Sequence, residues 1–336
     1  MIDFRSDTVT KPCQNMRNVM VSADVGDDVY GDDPSVNYLE TWAAERHGFE
    51  AALFCSSGTQ ANLLAIMSHC QRGDEYLCGQ NAHNYRYEGG GAAVLGSVQP
   101  QPIQNEADGT LCLEKVAASI KPDDPHFAKS RLLSIENTIG GKPLPLEYLA
   151  QARQFSTDRG LRLHLDGARV YNAAIASGVD IHEVIRHFDS VSICLSKGLG
   201  APIGSLLLGN SRLIAQSRRW RKMLGGGLRQ AGILAAAGYY ALTRNVERLA
   251  DDHGNAEHLC EGLSELLGTT LQAVEQHTNM VFVTLSDCVD VISFEKHCRD
   301  YGVQISAGRN LRLVLHRDIN DTDIESAISV FSNYRE

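Results

Sequence analysis

The sequence lacks the features that would direct it to a membrane, a nucleic acid or a metal. No stretch of its 336 residues approaches the ~18–20 consecutive apolar residues of a membrane-spanning helix. The opening MIDFRSDTVTKP carries Asp3, Arg5 and Asp7 where a secretory signal would be apolar. Basic residues number 31 against 41 acidic ones, a net charge of −10, and no Lys/Arg-rich run exists. That excludes the phosphate neutralisation on which nucleic-acid binding rests, and equally a basic membrane-surface patch. The nine cysteines are dispersed, without a C-x-x-C or a Cys/His cluster at zinc spacing. No metal is expected, and the scattered thiols fit a reduced, cytoplasmic protein. The acidic loop GDDVYGDDP (26–34) lacks the alternating aspartates and terminal glutamate of a calcium loop, so it reads as a solvated loop ending in a helix cap. Internal repeats and a Gly/Pro-rich linker are also missing.

What is present is a long alternation of strand and helix. The length suits one large domain plus a smaller one. Apolar strand candidates are Ala51–Cys55, Glu75–Cys78, Ala92–Leu95, Arg131–Ile135, Arg162–Leu165, Val191–Leu195 and Ser205–Leu208. Helical patterns intervene, at the run after Asp33-Pro34, after Ser57 and over Leu146–Arg159. Continuous rather than alternating apolar strands predict a mostly parallel sheet covered on both faces, an α/β fold. After a long helical region from about Arg212 to Ala250, the pattern becomes helix, strand, helix, strand, helix (256–267, 279–285, 291–301, 311–316, 322–333). We therefore expect a large domain over 1–250, including the N-terminal segment, and a small α+β domain over 251–336.

Chemistry concentrates where strands end. Val191–Leu195 runs into Ser-Lys-Gly, so Lys197 stands at a strand's carboxyl end, in a turn loosened by Gly198, Gly200 and Gly204. Such a lysine snorkels in many proteins, or forms a Schiff base with the aldehyde of pyridoxal phosphate (PLP). The second reading requires a phosphate cup, an acid for the pyridine nitrogen, a surface for the ring and a cation for the substrate carboxylate. Each has a candidate. Gly58 and Thr59 lie where a strand turns into a helix, whose first N–H groups bind anions. Asp166 ends the strand LRLHLDGAR, though it also fits an ordinary helix cap. His83 follows the strand at 75–78 and is bracketed by turn formers. Arg169 lies three residues past Asp166, and Arg312 shares one face of NLRLVLH with Val314 and His316. Strand-end sites converge in parallel sheets. A dinucleotide site is the rival α/β reading, but the G-x-G at Gly198–Gly200 is not completed to G-x-G-x-x-G.

The motifs RSDTVT (5–10), GDDVYGDDP (26–34), SGTQAN (57–62), HLDGAR (164–169), SKGLGAP (196–202) and RWRKMLGGGLRQAGILAAAG (219–238) together resemble the low-specificity L-threonine aldolases. These are PLP enzymes of the aspartate-aminotransferase fold, fold type I. The resemblance implies Lys197 as the Schiff-base lysine, Asp166 at the pyridine nitrogen and His83 stacked on the ring. It implies Gly58, Thr59 and Arg229 around the phosphate, with Lys222 a second active-site lysine. Ser6, Arg169 and Arg312 match carboxylate-binding positions, and His126 a histidine near the substrate hydroxyl. Tyr30 and Tyr87 are further candidate substrate contacts. Retro-aldol cleavage of L-threonine and L-allo-threonine to glycine and acetaldehyde is expected, with His83 and His126 as alternative bases. A related PLP aldolase or lyase acting on another β-hydroxy-α-amino acid, such as phenylserine, is the alternative. A homotetramer of two dimers is implied, with sites shared across the dimer interface. The chain departs from the family's pattern at Ile139-Gly140, where His-Asn is usual.

Overall fold

The computed structural model describes residues 1–335. After a two-residue strand β1 (Ile2–Asp3), the chain forms β2 (Ala51–Cys55), β3 (Asp74–Gly79), β4 (Gln99–Ile103), β5 (Lys129–Glu136), β6 (Arg162–Gly167), β7 (Ser190–Cys194) and β8 (Ser205–Gly209). Strands β2 to β8 make one seven-stranded sheet in the order β2-β8-β7-β6-β5-β3-β4. Only β8 runs against the rest, antiparallel to β2 and β7. Every residue of β3, β7 and β8 is buried. This is what continuous apolar strands dictate when helices cover both faces. One face packs on the helices Pro34–His47, Leu146–Asp158 and Gly232–Arg244 through Leu39, Leu149 and Ala235. The other packs on Gly58–His69 and Ser211–Met223 through Leu64 and Leu213.

A second core follows. Strands β9 (Leu271–His277), β10 (Met280–Leu285), β11 (Val303–Gln304) and β12 (Asn310–Val314) alternate with the helices Val291–Asp300 and Asp321–Ser332. Strands β12, β10 and β9 form an antiparallel sheet in that order. The helix Leu249–Ser264 joins the two cores, with Leu249 in the first and Ala256, Leu259 and Leu263 in the second. The N-terminal segment also belongs to the second core. Ile2 and Asp3 pair in parallel with Val303 and Gln304, and Phe4 is fully buried among the small-domain side chains. No helix among the described residues is long and apolar enough to cross a membrane.

The structure corrects several expectations. Residues 92–95 are not a strand. They belong to a helical turn, Gly91–Val94, entered through the left-handed Gly90, and a four-residue apolar run cannot by itself tell helix from strand. The sheet edge is instead β4, whose Pro100 and Pro102 are tolerated because an edge strand needs donors on one side only. The helical region 212–250 is interrupted twice, after Met223 by the glycines at 225–227 and after Arg244. The short helix Gln14–Val21 and the strand β9, whose sequence LQAVEQH is largely polar, carry no sequence signal strong enough to predict them.

Candidate active site

All strands of the large sheet but β8 deliver their carboxyl ends to one edge, and the candidate residues gather there. Strand β7 ends three residues before Lys197. The lysine's backbone carbonyl accepts from Thr10 Oγ1 at 2.9 Å and from Gly200 N at 2.8 Å, which fixes the turn. Its Nζ has no hydrogen-bond or ion-pair partner among the described residues. The turn closes at Gly204, whose φ of +111° suits only glycine, and an added Cβ would stand 2.6 Å from the Phe54 ring.

One strand over, Asp166 is the penultimate residue of β6 and 2% exposed. The following Gly167 is needed because a Cβ there would lie 2.4 Å from the Ser192 carbonyl oxygen. Asp166 does not cap a helix: the next helix starts at Val170 with Arg169 as its N-cap. Its carboxylate accepts from Ala168 N at 3.1 Å and from Asn62 Nδ2 at 2.7 Å, and no cation of the described residues pairs with it.

His83 begins the short helical turn after β3. Its N–H donates to Glu136 Oε2 at 2.7 Å, and its Nδ1 lies 2.8 Å from Glu88 Oε1. The Glu88 bond, reinforced by Asp166, raises the imidazole above its ordinary value. Burial in turn raises the Glu88 carboxyl. Glu136 ends β5 beside Asp166, its partner in the strand register, and burial with the nearby Asp166 charge pushes its carboxyl up to about 8.

Arg169 makes a two-pronged ion pair with the buried Asp7, Nε to Oδ2 at 2.8 Å and Nη2 to Oδ1 at 2.6 Å. Burial alone would raise the Asp7 carboxyl, but the guanidinium overrides it and lowers the group to about 2. Ser6 caps the turn that carries Asp7, accepting from Thr8 N at 3.2 Å. Arg312, on β12, reaches the Arg5 carbonyl at 3.4 Å. Thus residues 2–10 run from the small-domain core past both arginines to the lysine turn. Arg169, Arg312, His83, Tyr87 and Glu136 line a cleft of about 1010 Å³ between the two cores.

At the other end of the sheet edge, Ser57 caps the helix Gly58–His69, accepting from Gln60 N at 3.1 Å. The N–H groups of Gly58 and Thr59 have no acceptor among the described residues. Beneath Gly58 lies Ser205, fully buried, whose Oγ has no partner.

Of the predicted residues, His83, Tyr87, Arg169 and Arg312 line the cleft, Lys197 lines a small cavity that shares Arg169 with it, and four others make their contacts elsewhere. His126 sits on an exposed loop, its side chain 83% exposed and bonded at Nδ1 to Asp124. Tyr30 is 78% exposed on the acidic loop. Arg229 pairs with Asp27 at 2.8 Å, and Lys222 lines a separate surface hollow with Val29 and Gly227. Conversely, Asp7, Asn62, Glu88 and Glu136 belong to the site and do not stand out in the sequence. Glu136 follows the predicted strand Arg131–Ile135 directly, so the strand-end logic that finds Asp166 applies to it as well.

The structure superposes on Leishmania major threonine aldolase with a TM-score of 0.84 over 99% of both chains at 20% identity. It superposes on Sphingomonas wittichii serine palmitoyltransferase with a TM-score of 0.74 over 98% of this chain and 86% of that one at 19% identity. Such likeness defines the fold, that of the fold type I PLP enzymes. A family model for beta-eliminating lyases matches residues 3–286. The sequence is 55% identical to the low specificity L-threonine aldolase of Escherichia coli (strain K12) over 95% of each chain. It is 41% identical to low-specificity L-threonine aldolase 1 of Arabidopsis thaliana, over 98% of this chain and 95% of that one. The chain belongs to the beta-eliminating lyase family, on its low-specificity L-threonine aldolase branch.

Proposed function

We propose that the protein is a PLP-dependent aldolase that cleaves L-threonine and L-allo-threonine to glycine and acetaldehyde. The observation that carries this reading is the unpartnered Lys197 amine in the turn after β7, the strand that pairs with β6 and its buried Asp166, which has no ion-pair partner among the described residues. The residues fit the cofactor. Free N–H groups at Gly58 and Thr59 over the orphaned Ser205 hydroxyl suit its phosphate. Asp166 suits its pyridine nitrogen, and Lys197 its aldehyde. When bound, PLP supplies a carbonyl for the substrate amine and an electron-withdrawing ring.

The chain's own residues do the rest. Asp166 holds a proton on the ring nitrogen, since it is buried and without any other cation. Arg169, locked by Asp7, and Arg312, on the opposite core, clamp the substrate carboxylate, so that residues rather than free rotation set the Cα–Cβ orientation. His83 takes the β-hydroxyl proton at Nε2, because its Nδ1 is committed to Glu88. The same bond makes the imidazole the stronger base. Its place in the cleft favours His83 over the solvent-exposed His126 within one chain.

In this reading the large domain (1–250), less the residues 2–4 that join the second core, carries the lysine and the small domain (251–336) supplies Arg312. Tyr30, Lys222, Arg229 and His126 do not line their own chain's cleft. That supports assigning them to a neighbouring subunit's site in a cytoplasmic homo-oligomer, a tetramer of two dimers. Borohydride reduction of the holoenzyme followed by peptide mapping should place the cofactor on Lys197. Lys197→Ala should lose the visible absorption of the bound cofactor and most glycine and acetaldehyde production from L-threonine. A retained band with a near-normal rate would overturn the proposal.

A further inference from the structure

Behind Asp166 lies a chain of buried polar side chains that the reaction just described does not use. Asn62, 1% exposed, sits one turn into the helix whose N-terminus forms the phosphate cup. Its amide nitrogen gives one proton to Asp166 Oδ2 at 2.7 Å and the other to Glu88 Oε1 at 2.9 Å. Its amide oxygen accepts from Ser192 Oγ at 2.8 Å and lies 3.2 Å from His164 Nε2. All four hydrogen-bonding positions of the amide are therefore used, and only one orientation of the group satisfies them.

The chemistry of the neighbours fixes the direction of every bond. Asp166 and Glu88 as carboxylates only accept, so Asn62 must present N–H to them and its oxygen to the other side. His164 must then carry its proton on Nε2, which leaves Nδ1 bare to accept from Ser190 Oγ at 2.8 Å. The Ser190 oxygen in turn accepts from His69 Nε2 at 2.7 Å, at the far end of the same helix. Burial pushes His164 down to about 3 and His69 to about 4, so both stay neutral and the tautomers hold. A buried network with every member satisfied is rigid.

We propose that Asn62 is the positioning residue of this site. It holds Asp166 toward the cofactor nitrogen and Glu88 toward His83, and is itself locked by the chain His69–Ser190–His164 together with Ser192. This rests on the assignment of Asp166 to the pyridine nitrogen. One amide thus couples the acid that sustains the cofactor's charge to the carboxylate that tunes the base, while touching neither cofactor nor substrate.

The test uses Asn62→Ala, His164→Leu and His164→Gln, purified with PLP beside the wild type. Removing Asn62 strips one donor from each carboxylate and orphans Ser192 and His164. Asn62→Ala should weaken PLP binding to the apoenzyme by about ten- to a hundredfold, as expected for buried groups left unpaired. It should shift the pH at which the bound cofactor's absorption titrates. At saturating PLP it should lower kcat while KM for L-threonine changes less than about threefold, because Arg169 and Arg312 are untouched. His164→Leu should reproduce the spectral shift in weaker form. His164→Gln, whose amide nitrogen takes the place of Nε2, should restore it, which a purely steric role would not allow.

An Asn62→Ala or His164→Leu enzyme with wild-type PLP affinity, spectral titration and kcat overturns the inference. So does a His164→Gln variant no better than His164→Leu. If Asn62→Ala does not fold, the His164 pair decides. Failure of the underlying function is separate, since the wild type itself would then bind no PLP at Lys197.

Discussion

The Asp7–Arg169 pair yields a prediction whose size follows from the structure. The Asp7 carboxyl is 1% exposed and lowered to about 2 by Arg169, against an ordinary aspartate value of about 3.8 in the unfolded chain. A gap of nearly two pH units corresponds to about 2 kcal/mol, at ~1.4 kcal/mol per unit. Because the folded value is depressed, this stabilisation is complete above about pH 4 and is lost as pH falls through 2. Breaking a buried pair by removing one partner costs about 3–5 kcal/mol where the remaining charge stays unpaired. Asp7→Asn keeps a hydrogen-bonding oxygen for Arg169, so the lower figure, ~2 kcal/mol, is the expected cost at pH 7. For a chain of 336 residues, at about 2.1 cal/mol/K per residue, the unfolding entropy is about 0.7 kcal/mol/K. The expected loss is therefore about 3 °C in Tm. Calorimetric scans of wild type and Asp7→Asn at pH 7 and pH 3 should show that difference at pH 7, and about half of it at pH 3. Equal melting temperatures at pH 7, or a difference that does not shrink in acid, would refute the reasoning. A raised KM for L-threonine should accompany the stability loss, because the arginine proposed to bind the carboxylate loses its anchor.

Two further outcomes follow from the same edge of the sheet. Glu136 titrates at about 8 in the fold against an ordinary 4.5, so the stability it contributes is full below about pH 4.5 and is lost as pH rises through 8. Apoenzyme stability should accordingly fall over that window by up to about 1.4 kcal/mol per pH unit, and Tm with it, and Glu136→Gln should flatten the slope; parallel Tm curves for the two proteins would contradict it. Gly204→Ala forces a side chain onto a φ of +111° and into the Phe54 ring. We expect a stability loss of at least about 1–3 kcal/mol together with weakened PLP retention, and an unchanged Tm would show that the turn after Lys197 relaxes freely.

The parts of this site that depend on local pattern are legible in the sequence. Lys197 and Asp166 follow buried apolar strands, and parallel strands end together, so their convergence follows from the strand pattern alone. Arg312 is legible from the alternation of β12. Asn62 is not, because residues 61–67 of its helix are buried throughout. A helix without a polar face gives no periodic contrast by which an inward asparagine stands out. Asp7 is hidden for a different reason: its partner lies 162 residues away, and nothing local marks a long-range ion pair. Similarly, β4 alternates glutamine with proline and reads as loop until its neighbour β3 is in place. His126, Tyr30, Lys222 and Arg229 enter through the family resemblance, and a resemblance does not say which copy of the chain a residue serves.

The placement of residues 2–10 has a consequence for how the molecule is made. Ile2 waits for Val303, and the Phe4 carbonyl for the Val314 N–H. At ribosomal rates of about 5–20 residues per second, some 300 residues separate those partners by roughly 15–60 s. For the later part of that interval all seven strands of the large sheet have been synthesised, yet Arg312 has not and Phe4 has no core to enter. A nascent or truncated chain can therefore hold the lysine proposed to bind the cofactor without the arginine proposed to hold the substrate. Closure of the site therefore waits on two segments some 300 residues apart, residues 2–4 and strands β11 and β12.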